Sequence, residues 1–282
     1  MPGELVKNIN YIPTLPSVLL QLVAHLNDPN SGAGDLEKII IHDQALSSKV
    51  LAVANSSYYG FRHKILTVRR AVVALGYEEI RNICLGATLV GYLHPSTFRD
   101  KQAAELLWLH SLCVAEAARI IAVKSQALKP DPAFCAGLLH DLGKVVLSAF
   151  FTEKLEALRE IMDREGMPYR QAEQAVEADH CRYGLALADL WDLPPELGQA
   201  MGHHHEITDA LEHYPFAAVT HLADFISRQL HLGHSGNPDP PEMEQAVLAR
   251  LGLSNEAFQE CRQELNARRT SVTDLWRMLL NA

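Results

Sequence analysis

The 282-residue sequence lacks several features that mark familiar classes of protein. Its five cysteines form no Cys-x-x-Cys pair and are odd in number, so the expected state is reduced, mostly buried thiols rather than a disulfide framework or a thiolate zinc site. It contains no run of about 18 or more apolar residues, which argues against a membrane span. The N-terminus has no basic region followed by an apolar run, so no signal peptide is expected. Together these absences predict a cytoplasmic protein.

Positive charge is also scarce. The formal net charge is -9, which argues against a broad electrostatic surface for nucleic-acid phosphates, although a local basic patch is compatible with it. With 48% hydrophobic and 21% charged residues, the composition is that of a soluble globular protein of one large domain or two modest domains.

The apolar residues recur at helical spacing, and no segment keeps the alternation expected of a strand. The predicted fold class is therefore all-α, a multi-helix bundle with an N-terminal helical subdomain. We divide the chain into an N-terminal helical subdomain (1–100), a second helical subdomain that carries the candidate site (101–232), and a C-terminal helical tail (233–282). The tail opens with a linker rich in Gly and Pro.

An imidazole and a carboxylate, His140 and Asp141, stand side by side in an otherwise apolar stretch that we expect to be helical. A buried ionisable pair is normally compensated by partners or by a metal ion. For a doublet taken alone, the alternative is a His–Asp pair that caps or crosses a helix. A second doublet, His42-Asp43, is interpreted as the end of a short helix that runs into a turn.

Other helices supply candidate partners for the doublet. His110 lies on the apolar stripe of a long helix, where a hydrogen-bonded core histidine is the alternative. Asp224 also lies among apolar residues. The alternative to a ligand role is an intrahelical ion pair with Arg228. The remaining candidates are His180, which opens a helix, and one or both of His204 and His205, which stand where a helix closes.

This ligand set contains imidazoles and carboxylates but no thiolate. Such ligands suit one or two divalent ions of the iron, manganese or zinc class, and more than four of them suggest two ions. Two-metal sites of this kind clamp the oxygens of a phosphoryl centre. Asp141 and Lys144 are the candidate catalytic residues, and Lys144 would meet a phosphate oxygen as a point charge. The alternative interpretation of Lys144 is an exposed lysine on a helix face.

Three motifs in order carry a family resemblance: Ala136–Lys144 (Ala-Gly-Leu-Leu-His-Asp-Leu-Gly-Lys), Asp179–Pro194, and His204-His205-Glu206. Together they resemble the HD superfamily of metal-dependent phosphohydrolases. The N-terminal half is more diagnostic, since Leu15-Pro-Ser17, Asp43–Leu51, Ala54–Gly60 and Ala71–Gly76 resemble the HDOD domain, the HD-related output domain. The resemblance spans roughly residues 5–230 and implies a helical bundle and a cytoplasmic bacterial regulator, of a kind often attached to receiver modules. It does not imply catalysis, because many HDOD members have lost metal ligands.

The related HD-GYP phosphodiesterases extend the resemblance to individual positions. Their metal ligands correspond to His110, the doublet, His180, the His204-His205 pair and Asp224, and their lysine corresponds to Lys144. The Gly-Tyr-Pro signature is missing, because no glycine precedes Tyr214 in the segment that follows Glu206. This departure argues against cleavage of cyclic di-GMP but is compatible with metal binding. No receiver-like sequence is expected ahead of the domain.

Three hypotheses follow from the sequence. In the first, the chain is a regulatory module that carries a metal and acts on signalling protein partners through protein contacts. In the second, it is a metal-dependent phosphohydrolase or phosphodiesterase with a nucleotide or cyclic dinucleotide as its ligand. In the third, the histidines form a hydrogen-bonded core without a metal. No membrane or nucleic-acid partner is expected.

Overall fold

The computed structural model describes residues 17–27, 31–56, 58–92, 99–206, 214–239, 243 and 245–281. These residues form sixteen helices and no strand, which confirms the predicted all-α class. The sequence motifs at Leu15-Pro16, at Ser57 and between Glu206 and Tyr214 lie wholly or partly outside the described residues. In chain order the helices are α1 (Ser17–Asn27), α2 (Ala33–His42), α3 (Gln44–Ala54), α4 (Val68–Leu75), α5 (Tyr77–Tyr92), α6 (Lys101–Ser125), α7 (Pro130–Leu139), α8 (Leu142–Phe150), α9 (Thr152–Glu165), α10 (Tyr169–Ala175), α11 (His180–Leu190), α12 (Pro195–His203), α13 (Pro215–Gln229), α14 (Gln245–Arg250), α15 (Asn255–Ala267) and α16 (Arg269–Asn281).

The chain divides into two compact units. The small unit comprises Leu15–His94 and Ala267–Ala282, and the large unit comprises Met1–Thr14 and Pro95–Asn266. The division expected from the sequence places residues 233–282 in a single tail. In the structure, the last helix, α16, instead packs on α3 and α5 and belongs with the small unit. An amphipathic helix shows in sequence which face it buries, but not which partner covers that face.

Local sequence signals set the helices of the small unit. The Asp43 carboxylate accepts a hydrogen bond from the Leu46 amide and caps α3, and Thr67 caps α4 in the same way through the Arg70 amide. The apolar faces of α2 and α3 are buried, and they comprise Leu36, Ile39, Ile40, Leu46, Val50, Val53 and Ala54. Burial of these apolar faces stabilises the small unit, and the helical spacing of the apolar residues is visible in the sequence.

Asn55 fastens the loop that follows α3. Its Oδ1 accepts a hydrogen bond from the Ile65 amide at 2.7 Å, and its Nδ2 donates to the carbonyls of Ile65 at 2.8 Å and Leu51 at 2.7 Å. We expect Asn55→Ala to lower the free energy of unfolding by about 1–3 kcal/mol, because the backbone groups of Ile65 lose their partner. Chemical denaturation would measure the loss. The control is Asn255→Ala at an exposed helix start, expected to change stability by no more than about 0.5 kcal/mol; equal effects would contradict the prediction.

In the large unit, α6, α7 and α13 pack on one another, and α12 packs on both α7 and α13. By length and composition alone, Lys101–Ser125 and Pro130–Phe150 could each cross a membrane. However, 78% and 83% of their apolar windows are buried inside the fold, which is the burial of core helices. These buried helices also carry the first members of the candidate site.

Candidate metal centre

The His140–Asp141 doublet lies in a break between two helices. The sequence predicts that one helix carries both residues, but α7 ends at Leu139 and α8 begins at Leu142. Asp141 has φ -98° and ψ 15°, and its carbonyl accepts from the amides of Lys144 and Val145 at 2.9 and 3.3 Å. The break turns both side chains into the interior, where each is 0% exposed. A straight helix would point neighbouring side chains about 100° apart.

The Asp141 carboxylate is the centre around which four histidines gather. Its Oδ1 lies 3.4 Å from His180 Nε2 and 3.6 Å from His204 Nε2. Its Oδ2 lies 3.3 Å from His140 Nε2 and 3.9 Å from His110 Nε2. The two oxygens thus face two different pairs of imidazoles, an arrangement in which one carboxylate can serve two ions.

Asp224 extends the cluster on the side of His110. Its Oδ1 lies 2.9 Å from His110 Nε2, across the packed helices α6 and α13. The alternative foreseen from the sequence, an ion pair with Arg228, is also present but longer, at 3.8 Å. Burial raises the pKa of Asp224, but His110 and the nearby His140 together outweigh burial and hold the pKa well below its usual value. Asp224 is therefore an anion at neutral pH.

Hydrogen bonds fix the ring orientation of three histidines. His140 Nδ1 and His204 Nδ1 lie 2.8 Å from the carbonyls of Gly137 and Ala200, and His180 Nδ1 lies 2.6 Å from Glu173 Oε1. A carbonyl only accepts, so Nδ1 carries the proton in the first two rings, and the Glu173 carboxylate favours the same tautomer in His180. Each Nε2 then points toward Asp141, as in metal-ligating histidines.

Of the three consecutive histidines, the second and third join the cluster. The ring centroid of His204 lies 4.2 Å from that of His205, which in turn lies 5.2 Å from that of His180. His203 instead stacks on Tyr214 and bonds to Glu206. Burial lowers the pKa of His204 to about 3 and that of His205 well below its usual value, so both rings are neutral at pH 7. Neutral imidazole is the form that binds metals.

Several buried polar atoms of the cluster lack a hydrogen-bond partner of good geometry among the described residues. Such atoms are costly to bury, and each one needs an explanation. A divalent ion supplies that explanation, because these are nitrogen and oxygen atoms suited to ligate it. The residues present therefore fit a metal. The atoms are His110 Nδ1 and Nε2, His140 Nε2, Asp141 Oδ1, His205 Nε2 and Asp224 Oδ1.

Lys144 is buried. The alternative drawn from the sequence, an exposed lysine on a helix face, is therefore wrong. Its side chain is 7% exposed, and its Nζ donates to Asp141 Oδ2 at 2.8 Å above the ring of Tyr169. Burial raises the pKa of Asp141, but His140 and Lys144 outweigh burial and hold the pKa well below its usual range. The direct effect of Lys144 is thus to keep Asp141 ionised.

The second doublet, His42-Asp43, belongs to the small unit and forms no such cluster among the residues described there. Asp43 caps α3 and His42, the last residue of α2, is exposed. This agrees with its interpretation as a helix end that runs into a turn.

The sequence did not reveal Glu173, which supports His180. Glu173 is 0% exposed, and its second oxygen accepts from Arg170 Nη1 at 2.7 Å while Arg170 also reaches Asp179 at 3.0 Å. Burial raises the pKa of Glu173, but His180, with Lys144 and Arg170, outweighs burial and lowers the pKa overall. In sequence, Glu173 stands in a polar helix seven residues before His180, and no local signal distinguishes it from a surface glutamate.

We expect Glu173→Gln to weaken divalent-metal binding by about 10–100-fold, because His180 loses the carboxylate that orients it and raises its basicity. Isothermal titration with manganese or zinc would measure the loss. The matched control is Glu177→Gln, an exposed residue of the same segment, which should bind as the wild type does. Unchanged affinity in Glu173→Gln would contradict the positioning role.

Fold and site together define an all-α protein with a buried centre of imidazoles and carboxylates between helices. Residues 12–207 match the HDOD domain family, and the chain belongs to that family. The resemblance seen in the sequence is thereby confirmed.

Solved structures agree with this assignment. An HDOD domain protein of unknown function from Geobacter sulfurreducens superposes with a TM-score of 0.82 and 27% identity, over 97% of this chain and 96% of that one. A candidate phosphohydrolase from Shewanella amazonensis has the same fold, with a TM-score of 0.79 and 20% identity over 98% of this chain and 97% of that one.

Among curated proteins, an uncharacterized protein of Treponema pallidum is 28% identical over 234 residues, 82% of this chain. Ribonuclease Y of Thermus thermophilus is 34% identical over 181 residues, 64% of this chain. The chain spans 45% of the length of the first protein and 22% of the second.

Proposed function

We propose that this HDOD protein is a cytoplasmic bacterial regulatory module that binds divalent metal in the His/Asp cluster and acts on signalling partners through protein contacts. The observation that carries the proposal is the convergence of the Nε2 atoms of His140, His180 and His204 on one carboxylate. The ring orientation imposed through each Nδ1 leaves those atoms free to ligate.

The cluster offers ligands for one or two ions of the iron, manganese or zinc class. One group is His110, His140 and Asp224, and the other is His180, His204 and His205, with Asp141 between the groups. A bound ion would supply Lewis acidity, and in a regulatory protein it would also tie α6, α7, α11, α12 and α13 together.

Exposed apolar side chains on the small unit support the proposed protein contacts. Val73 is 82% exposed, Leu66 72%, Ile41 54% and Phe61 42%, all within residues 41–73. A contiguous patch of exposed apolar side chains often marks an interaction site, and these four side chains lie close together in sequence. Photo-cross-linking from position 73 in cells would test this surface, with exposed position 256 as the control. Equal labelling from both positions would contradict the proposal.

A second candidate function, a metal-dependent phosphohydrolase, draws support from a cavity beside the centre. The cavity has a volume of about 1020 Å³, and its lining includes Lys144, Tyr169, Arg159 and Leu107. That volume suits a nucleotide, and Lys144 separates it from Asp141. One curated relative is named as a ribonuclease, so an RNA oligonucleotide belongs among the substrates to be tried.

Metal content and turnover together decide between these functions. The protein, purified without a histidine tag, would be analysed for bound metals by mass spectrometry. The manganese-, iron- and zinc-loaded forms would then be assayed against bis-p-nitrophenyl phosphate, nucleotides, cyclic dinucleotides and an RNA oligonucleotide. Stoichiometric metal without turnover supports the regulatory module. Turnover that is lost in His140→Ala would overturn it in favour of the enzyme, and absence of metal under every condition would overturn both.

A further inference from the structure

A cysteine lies in the cluster, although the ligand set expected from the sequence contains no thiolate. Cys181 follows His180 at the start of α11 and is 4% exposed. Its Sγ and one ring nitrogen each of His180, His204 and His205 all lie within 4.8 Å of one another. The backbone amide of Cys181 is fixed by the Asp179 carboxylate at 3.0 Å, so the position of the thiol is set by the helix cap.

Two of the separations among these atoms match those of a tetrahedral zinc site. Bonds of about 2.05 Å to nitrogen and about 2.3 Å to sulfur place two nitrogens about 3.3 Å apart, and a nitrogen and a sulfur about 3.5 Å apart, at the tetrahedral angle. His180 Nε2 lies 3.4 Å from His204 Nε2 and 3.5 Å from Cys181 Sγ. Both separations agree with the expected values without any movement of the side chains.

A cysteine that coordinates a metal ion binds as the thiolate, because the ion deprotonates the coordinating thiol outright.

We propose that Cys181 is a metal ligand, and that its sulfur joins His180, His204 and His205, beside Asp141, in a mixed imidazole–thiolate site for an ion of the zinc and cobalt(II) class. On binding, the S–H bond breaks, its proton leaves to solvent, and the sulfur lone pair forms the bond to the metal. A thiolate shifts selectivity away from hard ions such as magnesium and calcium. The inference rests on the proposed metal centre and names one of its ligands and its preferred class of ion.

Cobalt(II) substitution tests the proposal, because a thiolate bound to cobalt(II) gives a near-ultraviolet charge-transfer band that imidazole and carboxylate do not give. The 282-residue chain would be titrated with cobalt(II) as wild type, Cys181→Ala and Cys84→Ala. The last variant is the matched control, because Cys84 is a fully buried cysteine of the small unit. We expect the band in wild type and Cys84→Ala. In Cys181→Ala it should be lost, together with at least about a tenfold loss of affinity for one ion.

Two results would overturn the assignment, and they differ in what they leave standing. Stoichiometric cobalt(II) without the band would remove Cys181 from the ligand set and leave the metal centre intact. No bound cobalt(II), zinc or manganese at all would remove the metal centre itself. If Cys181→Ala fails to fold, X-ray absorption of the zinc-loaded wild type decides the matter, since the proposal requires a sulfur scatterer at about 2.3 Å.

Discussion

Asp141→Asn is expected to abolish binding of divalent metal at both halves of the cluster. The carboxylate is the group that faces His180 and His204 with one oxygen and His110 and His140 with the other. Asparagine keeps the shape and still offers an oxygen to Lys144, but it removes the negative charge from a buried site. We expect affinity to fall by more than about 100-fold, beyond the 10–100-fold that loss of a supporting residue costs.

Thermal unfolding with and without manganese or zinc would measure this effect. An ion at 100 times its dissociation constant stabilises a protein by about 2.7 kcal/mol, and that stabilisation should vanish in Asp141→Asn. The matched control is Asp43→Asn in the second His-Asp doublet, where asparagine is as good a helix cap as aspartate. Metal-dependent stabilisation that persists in Asp141→Asn, or is also lost in Asp43→Asn, would contradict the assignment of the site.

The helices themselves were predictable because their causes are local. Apolar residues at helical spacing form the buried faces of α2 and α3, and Thr67 and Gly76, a capping residue and a helix breaker, bracket α4. The candidate ligands could also be proposed, since imidazoles and carboxylates on apolar faces are conspicuous against their surroundings. The structure brings together His110, the doublet, His180, both His204 and His205, and Asp224.

Features that depend on contacts distant in sequence could not be predicted. The burial of Lys144 follows from the break before α8, which a smooth apolar periodicity conceals. Glu173 and Cys181 differ in how much the sequence could have revealed about them. Glu173 stands in a polar segment that gives no signal, whereas Cys181 adjoins a predicted ligand and could have been considered on that ground. The absence of a Cys-x-x-Cys pair excludes a conventional thiolate site but not one thiolate among imidazoles.

Gly143→Ala is expected to disrupt the centre without touching any ligand. Gly143 lies at the crossing of α8 and α11, where a Cβ would stand 2.0 Å from the His180 carbonyl oxygen and 2.9 Å from the Gly184 nitrogen. Both are backbone atoms, so the helices must separate to admit the methyl group. Overpacking usually costs about 1–3 kcal/mol, and a contact this short with backbone places the expected loss at or above about 3 kcal/mol.

Separation of the two helices would carry His180 away from Asp141, which is itself only two residues before Gly143. Metal titration of the folded Gly143→Ala protein should therefore show weaker binding in addition to the lower stability. Gly198→Ala is the matched control, because its Cβ would meet only ordinary side-chain contacts at 3.5 and 3.7 Å within α12. There alanine should be neutral or stabilising by about 0.5–1 kcal/mol. Equal behaviour of the two variants would mean that close approach of α8 and α11 does not position His180.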